Sequence, residues 1–252
     1  MNIDLPRQEH IPQLYRLWQE AFGDTDAYLD AFFAAAEPLK HGRCVTVEGK
    51  PVAALYWFDC RWREKKLAYV YAVATKTQCR GQGLCRALMA DTLRYLKASG
   101  YQGAMLVPGG EALRKMYASM GYQPATRITQ LSCVAAENGT ALRTLETAEY
   151  AALRRSYLPP EGVVQEDCNL AFLKTRWMLL AGEDFLLTAD IFDGVVTGEL
   201  LGNTEKAPEI TKALQCKRGI FRTPGTDIEF AMYHPLDGET CVTPGYFGLA
   251  FD

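Results

Sequence analysis

The spacing of apolar residues predicts two helices near the start of the chain. Ile11, Leu14, Trp18 and Phe22 recur at helical spacing and are separated mainly by polar side chains. The segment DAYLDAFFAAAE predicts a second, shorter helix. We expect it to end before Pro38, because the residue that precedes a proline disfavours the helical conformation.

After these helices the pattern changes to short apolar strands. RCVTVEGKPVAALYWFDC predicts two strands joined at the turn EGK, and KLAYVYAVAT predicts a third. A helix with leucines on one face then opens at Gly83. GYQGAMLVPGG then predicts a turn and a short buried strand, and EALRKMYASMGY predicts a compact helix, which Gly121 closes.

A small, polar segment, AAENGTA at residues 135–141, predicts a domain boundary. We therefore expect an N-terminal domain over residues 1–134 and a smaller α+β domain over residues 141–252. In the second domain, ETAEYAALRRSYL and CNLAFLKTRWMLL predict helices, Asp193-Gly194 predicts the turn of a hairpin, and GYFGLAF predicts a closing strand. The fold class is α/β with a mixed sheet (α+β). Helices precede a hairpin in both halves, which leaves open whether the second domain is a degenerate repeat of the first.

Composition narrows the classes of function. The net charge of −3 gives no basic field for nucleic acid or an anionic membrane, and no apolar run reaches the ~18 residues that span a bilayer. The start MNIDLPRQEH lacks the layout of a signal peptide. Eight scattered cysteines and only three histidines predict reduced thiols and no metal site. We expect a cytoplasmic protein.

The stretch YVYAVATKTQCRGQGLCRALM runs from a strand through a glycine loop into a helix, an arrangement that holds phosphates. Gly81 and Gly83 leave the backbone uncovered, so the amides of Gly81, Gln82, Gly83, Leu84, Cys85 and Arg86 form a cradle at the positive end of the helix dipole. Arg80 and Arg86 add charge. The loop lacks GxxxxGK[ST], and Arg86 stands where a dinucleotide fingerprint has its third glycine. A pyrophosphate fits; an ordinary glycine turn is the competing interpretation.

Two motifs in order carry a family resemblance. Arg80, Gly83 and Cys85 form R-x-x-G-x-small, and KMYASMGY places Tyr117 a few positions before a Gly-aromatic pair. Together they resemble the signatures of the GNAT superfamily of acyl-CoA-dependent N-acetyltransferases. The resemblance covers residues 1–134, and the layout is most similar to a bacterial two-domain group with a divergent C-terminal half.

The resemblance implies acetyl-CoA as the acyl donor and a small-molecule or peptide amine as the acceptor. It implies that the strand before the loop binds the pantetheine arm at Val73 and Thr75, with the Val73 amide donating to the thioester oxygen. Tyr117 would protonate the leaving thiolate, although its position on an apolar helix face also suits a core residue. We expect the second domain to shape the acceptor pocket or to mediate a homodimer.

Three departures from the family pattern affect the site. Cys85 replaces glycine or alanine, and we favour a packing role over a reactive thiol. Gly110 replaces an asparagine that contacts the cofactor in many relatives. The strand that often carries a catalytic glutamate offers Tyr69 and Tyr71 instead. The carboxylates of Asp24, Asp26 and Glu37 suit ordinary solvated surface better than a base.

The final residue is a candidate for the missing base. Some relatives, the enhanced-intracellular-survival acetyltransferases, use a C-terminal carboxylate near the acceptor, and Asp252 could act similarly. A terminus that points into water is the competing interpretation. The competing class for the whole protein is a non-catalytic acyl-CoA-binding or regulatory module.

Overall fold

The computed structural model describes residues 1–238 and 242–251, and the chain folds into two compact units. Unit 1 takes Met1–Gln123 and a later segment that begins at Met232. Unit 2 takes Pro124–Ala231 and a segment that begins at Thr243. Each unit is therefore built from two separate stretches of sequence.

The described residues form seven α-helices, most of them with one buried face. They are α1 (Ile11–Phe22), α2 (Asp26–Ala35), α3 (Leu84–Ala98), α4 (Glu111–Ala118), α5 (Thr147–Tyr157), α6 (Cys168–Lys174) and α7 (Ala207–Ala213).

Fifteen strands, several of only two residues, complete the regular structure of the described chain. They are β1 (Asn2–Asp4), β2 (Gly42–Val47), β3 (Lys50–Trp62), β4 (Lys65–Thr75), β5 (Gly103–Leu106), β6 (Gln123–Pro124), β7 (Arg127–Val134), β8 (Arg143–Thr144), β9 (Val164–Gln165), β10 (Met178–Ala181), β11 (Phe185–Phe192), β12 (Val195–Gly202), β13 (Arg218–Pro224), β14 (Ile228–Glu229) and β15 (Met232–Pro235).

The sheet of unit 1 has the order β1-β2-β3-β4-β5-β15. Its strands are antiparallel except for β4 and β5, which run parallel because α3 carries the chain between them. Alternate residues of β3 and β4 face opposite sides of this sheet. Tyr56 and Tyr71 contact Trp18 of α1, whereas Trp57 and Val70 share a core with α3 and α4.

The sheet of unit 2 has the order β14-β7-β13-β12-β11-β10-β8. Again one neighbouring pair is parallel, β12 with β13, and α7 lies between them in the sequence. The hairpin of β11 and β12 turns at Asp193 and Gly194, whose φ angles of 48° and 72° are the left-handed values that a two-residue turn needs. The mixed-sheet fold class and this hairpin confirm the sequence-based predictions.

A buried ion pair lies in the core of unit 2. Arg154 of α5 is 2% exposed, and its guanidinium donates to both carboxylate oxygens of Glu199 on β12, at 2.7 and 2.9 Å. The hydroxyl of Tyr246 donates to the same carboxylate at 3.0 Å. The network therefore holds a helix, a central strand and the segment near the end of the chain together.

The domain boundary predicted at residues 135–141 differs from the observed division between the two units. Strand β7 precedes that segment but belongs to unit 2, because it pairs with β13 over seven residues. Strand β15 returns to unit 1, where Met232 lies opposite Leu106 of β5. Local composition carries no information on either long-range pairing.

Two predicted elements of unit 2 are wrong. The helix predicted over CNLAFLKTRWMLL ends at Lys174, and Met178–Ala181 form strand β10 instead. The closing strand GYFGLAF is not regular; only Tyr246 forms an isolated bridge, to Gly162. Tyr246, Phe247 and Leu249 are nevertheless buried, so their apolar character reflects core packing rather than strand formation.

Candidate functional site

The loop between β4 and α3 has the conformation that its glycines allow. Gly81 and Gly83 both have φ of +76°, the left-handed region that other residues adopt rarely. A Cβ atom placed on either glycine would meet no atom within 4 Å. The glycines are therefore required by the backbone angle and not by crowding, and the space beside the loop is open.

The backbone amides of this loop have no internal partner. From Gly81 to Arg86, no N–H group donates a hydrogen bond to any residue in the described part of the chain, and the first bond of the helix is Ala87 N–H to Gly83 O at 3.0 Å. Gly83 caps α3 without a side-chain hydrogen bond. Six consecutive donors thus lie at the positive end of the helix dipole, where an anion is stabilised.

The two arginines beside the loop are held by neutral acceptors. Arg80 Nε donates to the Thr75 carbonyl at 3.1 Å, so two residues of the predicted cofactor site bind each other directly. Arg86 donates to the Ser119 carbonyl at 3.1 Å and to the Ser119 hydroxyl at 2.9 Å. Both guanidinium groups therefore add positive charge near the amides.

Strand β4 leaves its parallel neighbour early. The register between β4 and β5 covers only Leu67, Ala68 and Tyr69, so this parallel pairing stops six residues before β4 ends. Opposite β3 the register shifts, and Ala72 has φ of +50°, which marks a bulge. Val73 appears in neither register. Beyond Tyr69, β4 is thus open on the side that faces β5.

Tyr117 lies on α4, in the core beneath the loop. The side chain is 6% exposed, and its ring lies 5.9 Å from that of Tyr122 in an edge-on arrangement. Burial, and secondarily the thiol of Cys85, raises the pKa of Tyr117 well above its ordinary value. Its hydroxyl donates to no described residue. The Arg86 contact to Ser119, two residues after Tyr117, ties the start of α3 to the end of α4.

The remaining predicted loop residues are placed as follows. Cys85 is half-buried against the core, and burial raises the pKa of its thiol, which keeps it protonated at neutral pH. Leu84 packs against the same core. Gln82 is exposed, with its amide 3.5 Å from the Gln78 carbonyl. Gly110 begins α4 with φ of +141°, a conformation that disfavours a larger residue there.

The comparisons with known proteins agree with this geometry. Residues 2–125 match the family model described as an acetyltransferase (GNAT) domain. These residues belong to the GNAT acetyltransferase family. None of the curated proteins matches the sequence.

Solved structures share the fold over nearly the whole chain. A GCN5-related N-acetyltransferase from Kribbella flavida has a TM-score of 0.73 at 17% identity, over 94% of this chain and 71% of that one. A GCN5-related N-acetyltransferase from Anabaena variabilis gives 0.71 at 14%, over 93% and 72%. Eis1 from Mycobacterium abscessus gives 0.65 at 11%, over 94% and 74%. At such identities the similarity establishes the fold.

The GNAT domain contains one contact that sequence reasoning missed. The carboxylate of Glu20 on α1 accepts the backbone N–H of Thr77 at 2.7 Å, just before the loop. No pattern in the sequence relates two residues that are 57 positions apart.

The acidic residues at the two N-terminal helices have local partners. Asp24 is half-buried and accepts from Trp18 Nε1 at 2.8 Å, and Asp26 accepts from Gln19 at 2.6 Å. Glu37 pairs with Lys40 at 2.6 Å. Of the three, Asp24 is the least exposed, which differs from the solvated surface position expected for it. Asp252 lies outside the described residues.

Other classes of site find no support in the described chain. Nowhere in residues 1–238 and 242–251 do three or more His, Cys, Asp or Glu side chains form a group that could hold a metal ion. Among the same residues, no helix combines the length and the apolar character of a membrane-spanning segment. The seven described cysteines are free thiols.

Proposed function

We propose that this protein is an acyl-CoA-dependent N-acyltransferase that transfers an acetyl group from acetyl-CoA directly to an amine. The observation that carries the proposal is the row of six unbonded amides from Gly81 to Arg86. Unbonded donors at a helix N-terminus favour a pyrophosphate. The GNAT family assignment for residues 2–125 supports the same donor.

Each residue of the loop has a role in this proposal. The amides of Gly81, Gln82, Gly83, Leu84, Cys85 and Arg86 hold the pyrophosphate, and Arg80 and Arg86 supply charge. Val73 and Thr75 bind the pantetheine arm along the open edge of β4. Because Thr75 O already accepts from Arg80, we expect the arm to use the amide of Thr75 or to displace this guanidinium.

Two groups of this chain take part in the proposed transfer reaction, the backbone amide of Val73 and the phenol of Tyr117. Acetyl-CoA supplies a thioester, whose carbonyl carbon the amine attacks. The Val73 amide stabilises the negative charge that develops on the carbonyl oxygen. Tyr117 donates its proton to the departing sulfur, while the amine loses a proton to a base. The raised pKa of Tyr117 keeps the phenol protonated at neutral pH and therefore ready to donate.

Tyr71 of β4 is a poor candidate for the base. Burial, and then the neighbouring Tyr28, raises the pKa of Tyr71 well above its ordinary value, so a phenolate is scarce at neutral pH. Asp252 remains our candidate from the sequence. We expect Asp252→Asn to lower kcat strongly while the dissociation constant for coenzyme A stays unchanged. Equal turnover by the variant and the parent would remove Asp252 from the mechanism.

Carboxylates near the turn between α1 and α2 favour a cationic acceptor. Asp24, Asp26 and Asp30 lie at or near the turn between α1 and α2, and none forms an ion pair within the described chain. Their hydrogen-bond donors are neutral side chains: the indole of Trp18, the amide of Gln19 and the hydroxyl of Tyr15. Uncompensated carboxylates attract an ammonium group, so we expect amines with a second positive charge to be preferred over neutral analogues.

One experiment separates the enzyme from the alternative class. Calorimetry with acetyl-CoA measures binding, and a thiol-release assay over a panel of cationic and neutral amines measures turnover. Binding followed by amine-dependent thiol release supports the transferase. Binding without release on any amine supports an acyl-CoA-binding module, which the absence of a carboxylate at positions 69 and 71 and the glycine at position 110 would suit. A protein that does not bind acetyl-CoA contradicts both.

A further inference from the structure

The loop that carries the unbonded amides is preceded by a turn that backbone hydrogen bonds hold in place. Lys76 N–H donates to Val52 O at 2.8 Å, Cys79 N–H to Lys76 O at 2.8 Å, and Arg80 N–H to Thr77 O at 3.2 Å. These bonds fix the short 3₁₀ turn Thr77–Cys79, which joins β4 to the loop. The position of Gly81 therefore depends on how firmly this turn is held.

The amide of Thr77, the first residue of the turn, has no acceptor within the turn. The residue before the turn, Lys76, gives no side-chain cap. The N–H of Thr77 instead donates to Glu20 Oε1 at 2.7 Å, from the last turn of α1. A carboxylate acceptor makes this a charge-assisted hydrogen bond, stronger than a neutral one. It is the cap that the turn itself lacks, supplied by a residue far away in the sequence.

Helix α1 is a rigid support for this cap. Leu14, Leu17 and Trp18 are each less than 5% exposed, and Trp18 contacts the rings of Tyr56 and Tyr71 on the sheet. Glu20 lies on the exposed side of the same helix. The carboxylate thus extends from a fixed element toward a turn that would otherwise depend on its own three backbone bonds.

We propose that Glu20 is a positioning residue for coenzyme A binding: its carboxylate holds the Thr77 amide and thereby places the amides from Gly81 to Arg86. The inference rests on the proposed function, since it assigns a ligand to that loop. In this proposal Glu20 makes no contact with the ligand and acts through Thr77.

The charge of Glu20 and its hydrogen bond have opposite effects on an anion. The hydrogen bond orders the loop and favours binding, whereas a negative charge near Arg80 weakens the local positive potential. Glutamine keeps an oxygen that can accept from Thr77 and removes the charge. Alanine removes both. The pair Glu20→Gln and Glu20→Ala therefore separates positioning from simple electrostatics.

The expected results differ in direction. For Glu20→Ala we expect the dissociation constant for coenzyme A, measured by calorimetry, to rise about three- to tenfold, the scale of one lost hydrogen bond. For Glu20→Gln we expect affinity equal to the parent or slightly tighter. The KM for acetyl-CoA should follow the dissociation constant while kcat at saturation stays unchanged. Gln19→Ala, which alters the neighbouring residue on α1 and leaves Thr77 bonded, is the matched control and should bind normally.

Hydrogen exchange at the Thr77 amide provides a readout that needs no ligand. In the unliganded protein we expect faster exchange in Glu20→Ala than in Glu20→Gln, whose exchange should be close to the parent's. If the Glu20→Ala variant binds coenzyme A as tightly as the parent, or more tightly, the proposal is overturned and only the charge effect is left. Equal weakening in both variants would overturn it as well. If the parent itself binds no coenzyme A, the proposed function fails, whereas the exchange result still reports on the cap.

Discussion

The two units share an order of elements but differ at one junction. Each has two helices, three antiparallel strands, a helix and a strand parallel to the third: α1, α2, β2–β4, α3, β5 in unit 1 and α5, α6, β10–β12, α7, β13 in unit 2. In unit 1 the parallel pair has three register positions and then opens. In unit 2 it has five, from Val195 to Glu199 of β12.

The N-termini of α3 and α7 differ in the same way, since backbone groups are paired in unit 2 and unpaired in unit 1. Before α7, Glu205 N–H donates to Asn203 Oδ1 at 3.1 Å and Lys206 N–H to Asn203 O at 3.4 Å, so these amides are occupied. Gly202, where β12 ends, is crowded, since a Cβ there would lie 2.4 Å from Asp184 O. Unit 1 has open space and free donors at the corresponding place. A ligand site in this topology thus depends on leaving backbone groups unpaired.

Blocking the unbonded backbone amides of the loop between β4 and α3 should have the largest effect, on the binding of coenzyme A. In Gly83→Glu a carboxylate occupies and repels the pyrophosphate position, so we expect coenzyme A binding to be lost in calorimetry while the circular dichroism spectrum is retained. Gly100→Glu is the matched control: Gly100 has φ of +83° and equally open surroundings, but it lies at the far end of α3. Unchanged affinity in Gly83→Glu, or equal loss in the control, would contradict the loop assignment.

Breaking the buried ion pair of Arg154 and Glu199 tests how much this pair contributes to the stability of unit 2. Glu199→Ala leaves the guanidinium of Arg154 buried without its partner, and we expect the free energy of unfolding to fall by about 3–5 kcal/mol in urea denaturation. The double variant Arg154→Met with Glu199→Leu removes both charges and should recover most of that loss. A double variant as unstable as the single one would show that the charge is not the cause.

Removing one phenol oxygen tests the chemistry of unit 1. We expect Tyr117→Phe to lower kcat by roughly ten- to a thousandfold, the scale of a lost general acid, with little change in coenzyme A affinity. Tyr122→Phe is the control, because the Tyr122 hydroxyl is buried without a hydrogen-bond partner in the described structure. Its removal should not reduce turnover. Full activity in Tyr117→Phe would make Tyr117 a core residue only.

The smallest expected effect is on the stability of the folded protein at acidic pH. Burial, and then the charge of Arg7, lowers the pKa of His10, whose Nδ1 accepts the Arg7 backbone N–H at 3.2 Å. The folded state therefore favours neutral His10. Its contribution is complete above the unfolded pKa of about 6.5 and is lost as the pH falls below that value.

We accordingly expect the melting temperature to decline between pH 7.5 and pH 5.5, and His10→Asn, which keeps an acceptor without a titrating ring, to decline less. Parallel declines in both proteins would assign the pH dependence to other groups.

Patterns in the sequence predict those features of the fold that depend on residues close together in the chain. The glycine loop, the Asp193-Gly194 turn and the leucine face of α3 were all visible, because each depends on residues adjacent in sequence or on a helical period. The apolar run Met178–Ala181 fits a helical as well as a strand period over its four residues, so its strand conformation is not predicted from the pattern. The cap from Glu20 and the membership of β7 and β15 depend on partners far away in the sequence, which no local pattern encodes.

Strand β15 also has a consequence for biosynthesis. Its residues complete the sheet of unit 1 beside β5, yet they are made more than a hundred positions after Gln123. At about 5–20 residues per second, the ribosome delivers them roughly 5 to 25 s after the rest of that unit. During this interval the edge of β5 has no strand beside it. Unit 2 in turn requires Tyr246, Phe247 and Leu249 for its core. We therefore expect unit 1 to reach its native state only after strand β15 has left the ribosome, and nascent chains to depend on protection of that strand edge until then.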